Sequence, residues 1–234
     1  MSPLPRGERA PKAGEGWTDR MAMTESQLRE QICLLAKSLF DRGYTHGSTG
    51  NISAKTNDGW LLTPTNSCLG RLDPARLSKM SWDGKLLAGD APSKESFLHL
   101  AMYEERRSFG AVVHLHGSHS VGVSLLDGID GNDCLPPLTA YYIMRVGHLP
   151  LVPYFKPGDM ALAGAVREVA KKHHAVLLAN HGPVVAGTSL SAAVDATEEL
   201  EETAKIFLNL RHEKLRTLPP EQVDELRRMF PPPP

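Results

Sequence analysis

The stretch Ala111-Val-Val-His-Leu-His-Gly-Ser-His119 decides how the rest of the chain is read. Its β-branched run leads into His114-Leu115-His116. In a β-strand, residues i and i+2 point to the same face. His114 and His116 therefore stand side by side, with Leu115 turned to the opposite, buried face. Imidazoles so placed are either strand-end polar residues satisfied by neighbours or two nitrogen ligands for one metal ion, and this spacing alone admits both. Gly117 lets the chain turn after the pair, and a helix is expected from Ser118 to Leu126.

On the N-terminal side, Pro92-Ser-Lys-Glu95 opens a helix, with Ser93 as its N-cap and Phe97, Leu98, Ala101 and Met102 as its apolar face. Glu95 then falls in the first turn, where a carboxylate is at least a favourable partner for the helix dipole. His99, one turn on, reads as structural. Further upstream, His46-Gly-Ser-Thr-Gly-Asn-Ile-Ser53 and Pro64-Thr-Asn-Ser67 flank the strand-like Trp60-Leu-Leu-Thr63. Such Gly-, Ser- and Thr-rich loops can aim N–H groups and hydroxyls at an anion, or can be ordinary polar turns. His46 reads as a loop residue rather than a ligand. Leu72 to Lys79 reads as a short helix or turn, and Lys85 to Ala88 as a strand. Thr24-Glu-Ser-Gln27 has the form of a capping box, followed by Leu28, Ile32, Leu35, Ala36, Leu39 and Phe40 at helical spacing, with Gly43 as the stop.

On the C-terminal side, Ala175 to Ala179 is a buried strand that ends in Asn180-His181-Gly-Pro183. His181 there has a constrained backbone and an accessible ring. Thr139 to Gly147 is apolar with two tyrosines and Arg145, Leu149 to Tyr154 is strand-like, and Ala161 to Lys172 is helical. Ser191 to Arg211 is a long amphipathic helix whose Glu198, Glu199, Glu201 and Glu202 read as a solvated or subunit-facing surface. Strands alternate with helices while short hairpins intervene. The expected fold is therefore a layered α/β domain with a mixed or antiparallel central sheet.

The 234 residues are enough for a sizeable core. A formal net charge of -1 gives no basic stripe for nucleic acid and no charge block for a membrane surface. No apolar run approaches the roughly 18 residues of a membrane span, and the N-terminus lacks the apolar core of a signal peptide. Cys33, Cys68 and Cys134 are widely spaced and suggest neither a disulfide framework nor a cysteine zinc site, which points to the cytoplasm. Residues 1–22, rich in Pro, Gly and charge, read as a disordered leader or an extension. Residues 23–218 read as one catalytic domain, and 219–234 as a Pro-rich tail with a short helix.

His114, His116, His181 and Glu95 together make a plausible metal set, since zinc accepts imidazole nitrogen and carboxylate oxygen. At this point the chain resembles the class II aldolase/adducin family. The resemblance rests on Gly47-Ser-Thr-Gly-Asn-Ile-Ser53, Leu62-Thr-Pro-Thr65, Pro92-Ser-Lys-Glu95, Val113-His-Leu-His116 and Asn180-His-Gly182, in family order, over roughly residues 24 to 215. It implies three α/β/α layers around a mainly antiparallel sheet. It also implies one divalent metal per subunit, usually zinc, and a homotetramer with active sites at subunit interfaces. By motif, His114, His116 and His181 would bind the metal, with Glu95 as catalytic glutamate and further ligand. Ser48, Gly50, Asn51, Thr65 and Ser93 match phosphate-binding positions, to which Asn66 and Lys94 add two departures from the aldolase pattern. A tyrosine from a neighbouring subunit would donate a proton, and Tyr142 is the match, with Tyr141 the fallback.

The patterns TPTN, PSKE, AYYIMRVG and LPLVPYFKPGD look most like the family's decarboxylases of 3-oxo-tetronate 4-phosphates. That implies a small phosphorylated sugar-acid substrate, no nucleic acid and no membrane, and loss of carbon dioxide through an enediolate to dihydroxyacetone phosphate. Lys94 or Arg145 would complement the substrate carboxylate. A sugar-phosphate aldolase or 4-epimerase is the alternative, and a non-catalytic adducin-like scaffold the lesser one.

Overall fold

Thr24 opens the first helix, α1 (Glu25–Asp41), through the expected capping box. Its hydroxyl accepts from Gln27 N, and the Gln27 side chain accepts from Thr24 N at 2.9 Å. Leu28, Ile32, Ala36 and Leu39 are the buried stripe. The computed structural model describes residues 23–156 and 158–231. The leader expected over residues 1–22 and the last three prolines lie outside them.

The remaining elements are β1 (Asn51–Lys55), β2 (Trp60–Leu62), β3 (Ser78–Met80), β4 (Leu86–Ala88), α2 (Ser96–Glu105), β5 (Ala111–His114), α3 (Ser118–Ser124), α4 (Ala140–Arg145), β6 (Leu151–Val152), α5 (Ala161–Ala170), β7 (Ala175–Leu178), β8 (Gly182–Gly187), α6 (Leu190–Leu210) and α7 (Pro220–Met229). The strands form one sheet in the order β4-β3-β2-β1-β5-β8-β7-β6. Every pairing is antiparallel except that of β6 with β7. Three layers follow from the period of two along the strands. Trp60, Leu62, Val112, Val176, Val184 and Ala186 face α2 and α5. Their alternates pack against the other helical layer: Ile52, Leu61, Ala111 and Val113 against α1 and the start of α6, and Leu177 and Val185 against α4, α7 and the rest of α6.

Two expectations change. The span Leu72 to Lys79, read as a helix or turn, contains one short 3-10 turn at Pro74–Arg76, preceded by another at Leu69–Arg71, and runs into a strand, β3. Glu201 is not on a solvated face. It is 6% exposed and accepts from the backbone N–H groups of His119 at 2.7 Å and Ser120 at 2.9 Å. Its carboxylate thus satisfies the otherwise orphaned first turn of α3. Among the described residues, no helix is long and apolar enough to cross a membrane.

Candidate metal centre

His114 is the last residue of β5, the strand flanked by β1 and β8, and it pairs with Asn51 on one side and Val184 on the other. It is fully buried, and its Nδ1 donates to Pro183 O at 2.8 Å. A proton on Nδ1 leaves the lone pair on Nε2, so the second partner selects the ligating nitrogen. His116 lies just beyond the strand on the same side, while Leu115 is 1% exposed on the opposite side. Nε2 of His116 lies 3.2 Å from Nε2 of His114.

His181 arrives from the turn between β7 and β8. Asn180, before it, has φ 59, the left-handed conformation that Asn tolerates best after Gly. Gly182, after it, has φ +148, and a Cβ there would lie 2.3 Å from Leu115 O. Only glycine lets this turn press onto the end of β5 and bring His181 to the other two rings. The three ring centroids are 4.6 to 5.0 Å apart.

Glu95 completes the group from the entrance to α2. It occupies the N-cap position expected for Ser93, so α2 starts two residues later than expected, and its side chain makes no cap hydrogen bond. It turns instead to the histidines, with Oε1 3.0 Å from His181 Nε2 and Oε2 3.4 Å from His114 Nε2. The four ligand atoms lie within 4.8 Å of one another. Burial alone would raise the Glu95 carboxyl, but its close polar contacts with His114, His181 and Asn51 outweigh it and hold the group well below the usual carboxylate range. Burial, reinforced by His114 and His181, pushes the His116 ring down to about 3. Three imidazoles converging with one carboxylate are a donor set suited to a divalent cation, and they fit zinc. His119 is outside the set, its Nδ1 3.0 Å from Glu201.

The centre opens into a cavity of about 690 Å³ lined by His46, Phe97, Tyr154 and Asn180 as well as by Glu95, His116 and His181. His46 was read as a loop residue rather than a ligand and Tyr154 was given no role, because a loop histidine and a tyrosine in a strand-like run carry no spacing signal. Ser48, Thr65 and Asn66 line a second cavity, of about 300 Å³, with Arg71 and Arg76. The loop at His46-Gly47 borders both cavities, since His46 lines the first and Gly47 the second. Asn66 has φ 54, so it keeps a backbone conformation that glycine also adopts and adds a carboxamide to the wall.

Other expected positions fall elsewhere. Gly50, with φ +81, packs where a Cβ would lie 2.9 Å from His114 O. Asn51 is 3% exposed, and both ends of its carboxamide are bonded within the protein, to Glu95 and His99. Ser93 is buried and accepts from Glu95 N at 3.3 Å. Lys94 is exposed, and no ion pair among the described residues uses it. Tyr142 lies inside the fold. Its side chain is 0% exposed in the core under α4, and burial raises its hydroxyl well above the ordinary value. Tyr141 is 60% exposed beside Tyr44, Arg145, Glu198 and Glu202.

Residues 30–208 match the family described as Class II Aldolase and Adducin N-terminal domain. A 3-oxo-tetronate 4-phosphate decarboxylase of Cupriavidus necator is 52% identical over 80% of this chain and 87% of its own. Another, of Escherichia coli O6:H1, is 50% identical over 88% of this chain and 98% of its own. The crystal structure of YgbL from Escherichia coli superposes with a TM-score of 0.85 at 48% identity, covering 87% of this chain and 99% of that one.

Proposed function

We propose, on the premise that the chain belongs to the class II aldolase and adducin family, that it is a carboxy-lyase of the cytoplasm. It converts a 3-oxo-tetronate 4-phosphate to dihydroxyacetone phosphate and carbon dioxide. The observation that carries the reading is the intact constellation of Glu95, His114, His116 and His181 in a chain about half identical to decarboxylases of that name over nearly their whole length.

His114, His116 and His181 would hold one divalent ion per subunit, with Glu95 as an exchangeable fourth ligand, zinc by donor type. Such an ion supplies a Lewis acid for the negative charge that develops on the substrate oxygens as the carboxylate carbon leaves. The substrate is a β-keto acid, so the bond electrons pass into the adjacent ketone and leave an enediolate carbon that must gain one proton, drawn ultimately from solvent. Glu95 stands at the cavity wall as the group placed to relay it. Tyr141 of a neighbouring copy is the second candidate, because it is exposed where Tyr142 is not. Ser48, Thr65 and Asn66, with Arg71, receive the 4-phosphate in the second cavity. The assembly is a homotetramer in which α4 meets a neighbour.

Product analysis of zinc-loaded protein with freshly generated 3-oxo-tetronate 4-phosphate tests the reading. Carbon dioxide and dihydroxyacetone phosphate in equal amounts are expected. Chelation should abolish both, and Glu95→Gln should lower the rate about 10²- to 10⁴-fold, the usual worth of a general acid–base. Dihydroxyacetone phosphate and an aldehyde from a fuculose or rhamnulose phosphate, without carbon dioxide, would make the protein an aldolase.

A further inference from the structure

Behind Glu95, a line of polar side chains runs into the core between the sheet and α2. Asn51 Nδ2 lies 2.8 Å from Glu95 Oε2, and Asn51 Oδ1 lies 2.5 Å from His99 Nε2. Ser53 Oγ lies 2.7 Å from His99 Nδ1 and 2.8 Å from the Tyr103 hydroxyl. His99 and Ser53 are fully buried, and Asn51 and Tyr103 are each 3% exposed. The His99 ring stacks on Trp60 at 6.4 Å with 14° between planes, which holds its orientation.

One charge sets the direction of every bond. An ionised Glu95 only accepts, so Asn51 must present its NH2 group to it. The Asn51 carbonyl then faces His99, so the His99 proton is on Nε2. A neutral ring has one N–H, so Nδ1 accepts from the Ser53 hydroxyl. The Ser53 oxygen in turn accepts from the Tyr103 hydroxyl. Burial pushes the His99 ring down to about 3 and the Tyr103 hydroxyl upward, so both stay neutral near pH 7.

We propose that His99 is a positioning residue for the catalytic carboxylate: its Nε2–H holds the Asn51 carboxamide with the NH2 group toward Glu95. His99 has no exposed surface and touches no substrate, so it acts only through Asn51. Without that N–H, the carboxamide is free to turn over and set its oxygen against the carboxylate, which then leaves the geometry seen here. The inference rests on Glu95 being the catalytic carboxylate. It goes further in assigning a function to a core histidine one turn along α2.

His99→Phe keeps the ring and its stacking and removes both nitrogens. We expect kcat for carbon dioxide release to fall about tenfold to a hundredfold, as for a lost hydrogen bond that supports a charged group, with KM within about twofold of wild type. Asn51→Leu should cost about the same, and the double variant no more than either single one. His99→Gln, which offers an N–H and a carbonyl at the same end, should recover most of the rate. An unchanged kcat in His99→Phe, or fully additive losses, would overturn the proposal. Nitrogen-15 NMR of wild-type protein provides a readout that needs neither variant nor turnover. A His99 ring protonated on Nε2 alone from pH 5 to 8 is expected, and a proton on Nδ1, or on both nitrogens, refutes the relay. Because this signal is read whether or not carbon dioxide is formed, failure of the relay and failure of the decarboxylase reading are separable.

Discussion

Glu95 holds the N-cap position of α2 and yet caps nothing, because its carboxylate is committed to His181, His114 and Asn51. The first turn of α2 forgoes a cap worth about 1 kcal/mol, a local cost accepted where the site needs a carboxylate. Beside it, Lys94 is exposed and in no ion pair among the described residues. Lys94→Ala should raise KM at least about tenfold with a smaller change in kcat if the lysine meets the substrate carboxylate. Steady-state kinetics with the unchanged substrate check this, and an unchanged KM removes Lys94 from the site. His99 sets a pH dependence of stability. Its folded value, about 3, lies below the ordinary 6.5, so below pH 6.5 the unfolded chain binds a proton that the native one refuses. Stability is therefore lost as pH falls, by at most about 1.4 kcal/mol per unit for this group. Urea midpoints of metal-free protein at pH 7 and pH 5 should show the drop, and His99→Gln should lessen it. At this scale the cluster of Glu95, His114, His116 and His181 was legible, because metal-binding chemistry depends on residue type and spacing. The choice between Tyr141 and Tyr142 was not, since neighbours on a helix point about 100° apart and only the packing of α4 decides which one is buried.

The elements that deliver the ligands are β5, the β7–β8 turn and the entrance to α2. The turn depends on Gly182. Gly182→Ala would place a methyl 2.3 Å from Leu115 O at a φ of +148. It should destabilise the fold by about 2 kcal/mol or more and lower bound zinc to well under one per chain, as measured by thermal unfolding and metal analysis. Element type was readable wherever a period or cap was long enough to register, as in α1 with its capping box and α6 with its apolar stripe. β3 was not, because three residues carry too little periodicity, and its Ser78 is buried by bonding Asp90 O at 2.7 Å, a contact between distant residues. Glu201 was missed for a related reason. A glutamate among glutamates on a long helix reads as solvated until α3 is docked with its N-terminus over the carboxylate.

For the whole molecule, one sheet between two helical layers brings residues 95, 114, 116 and 181 to a common point. The three layers and the mainly antiparallel sheet followed from alternation of strand and helix and from the family motifs. The strand order did not, since pairing is settled by contacts between segments far apart in sequence. If Tyr141 completes the site of a neighbouring copy, Glu95→Gln and Tyr141→Phe subunits, each inactive alone, should regain activity when mixed and reassembled, approaching a quarter of the wild-type rate. Carbon dioxide release from the mixture decides this, and no recovery would place both groups in one chain's site.

The convergence of ligands from opposite ends of the domain also bears on folding kinetics. Glu95 and His181 meet only after β1, β5 and β8 have paired, so an ion has no complete binding site in a partly formed chain. Binding energy that appears so late on the folding route belongs to the native side of the barrier. Zinc should therefore leave the refolding rate in dilute urea nearly unchanged and slow unfolding instead, turning the centre into a latch that governs how long each folded molecule lasts. Stopped-flow folding with and without zinc would show this as a shift of the unfolding limb alone.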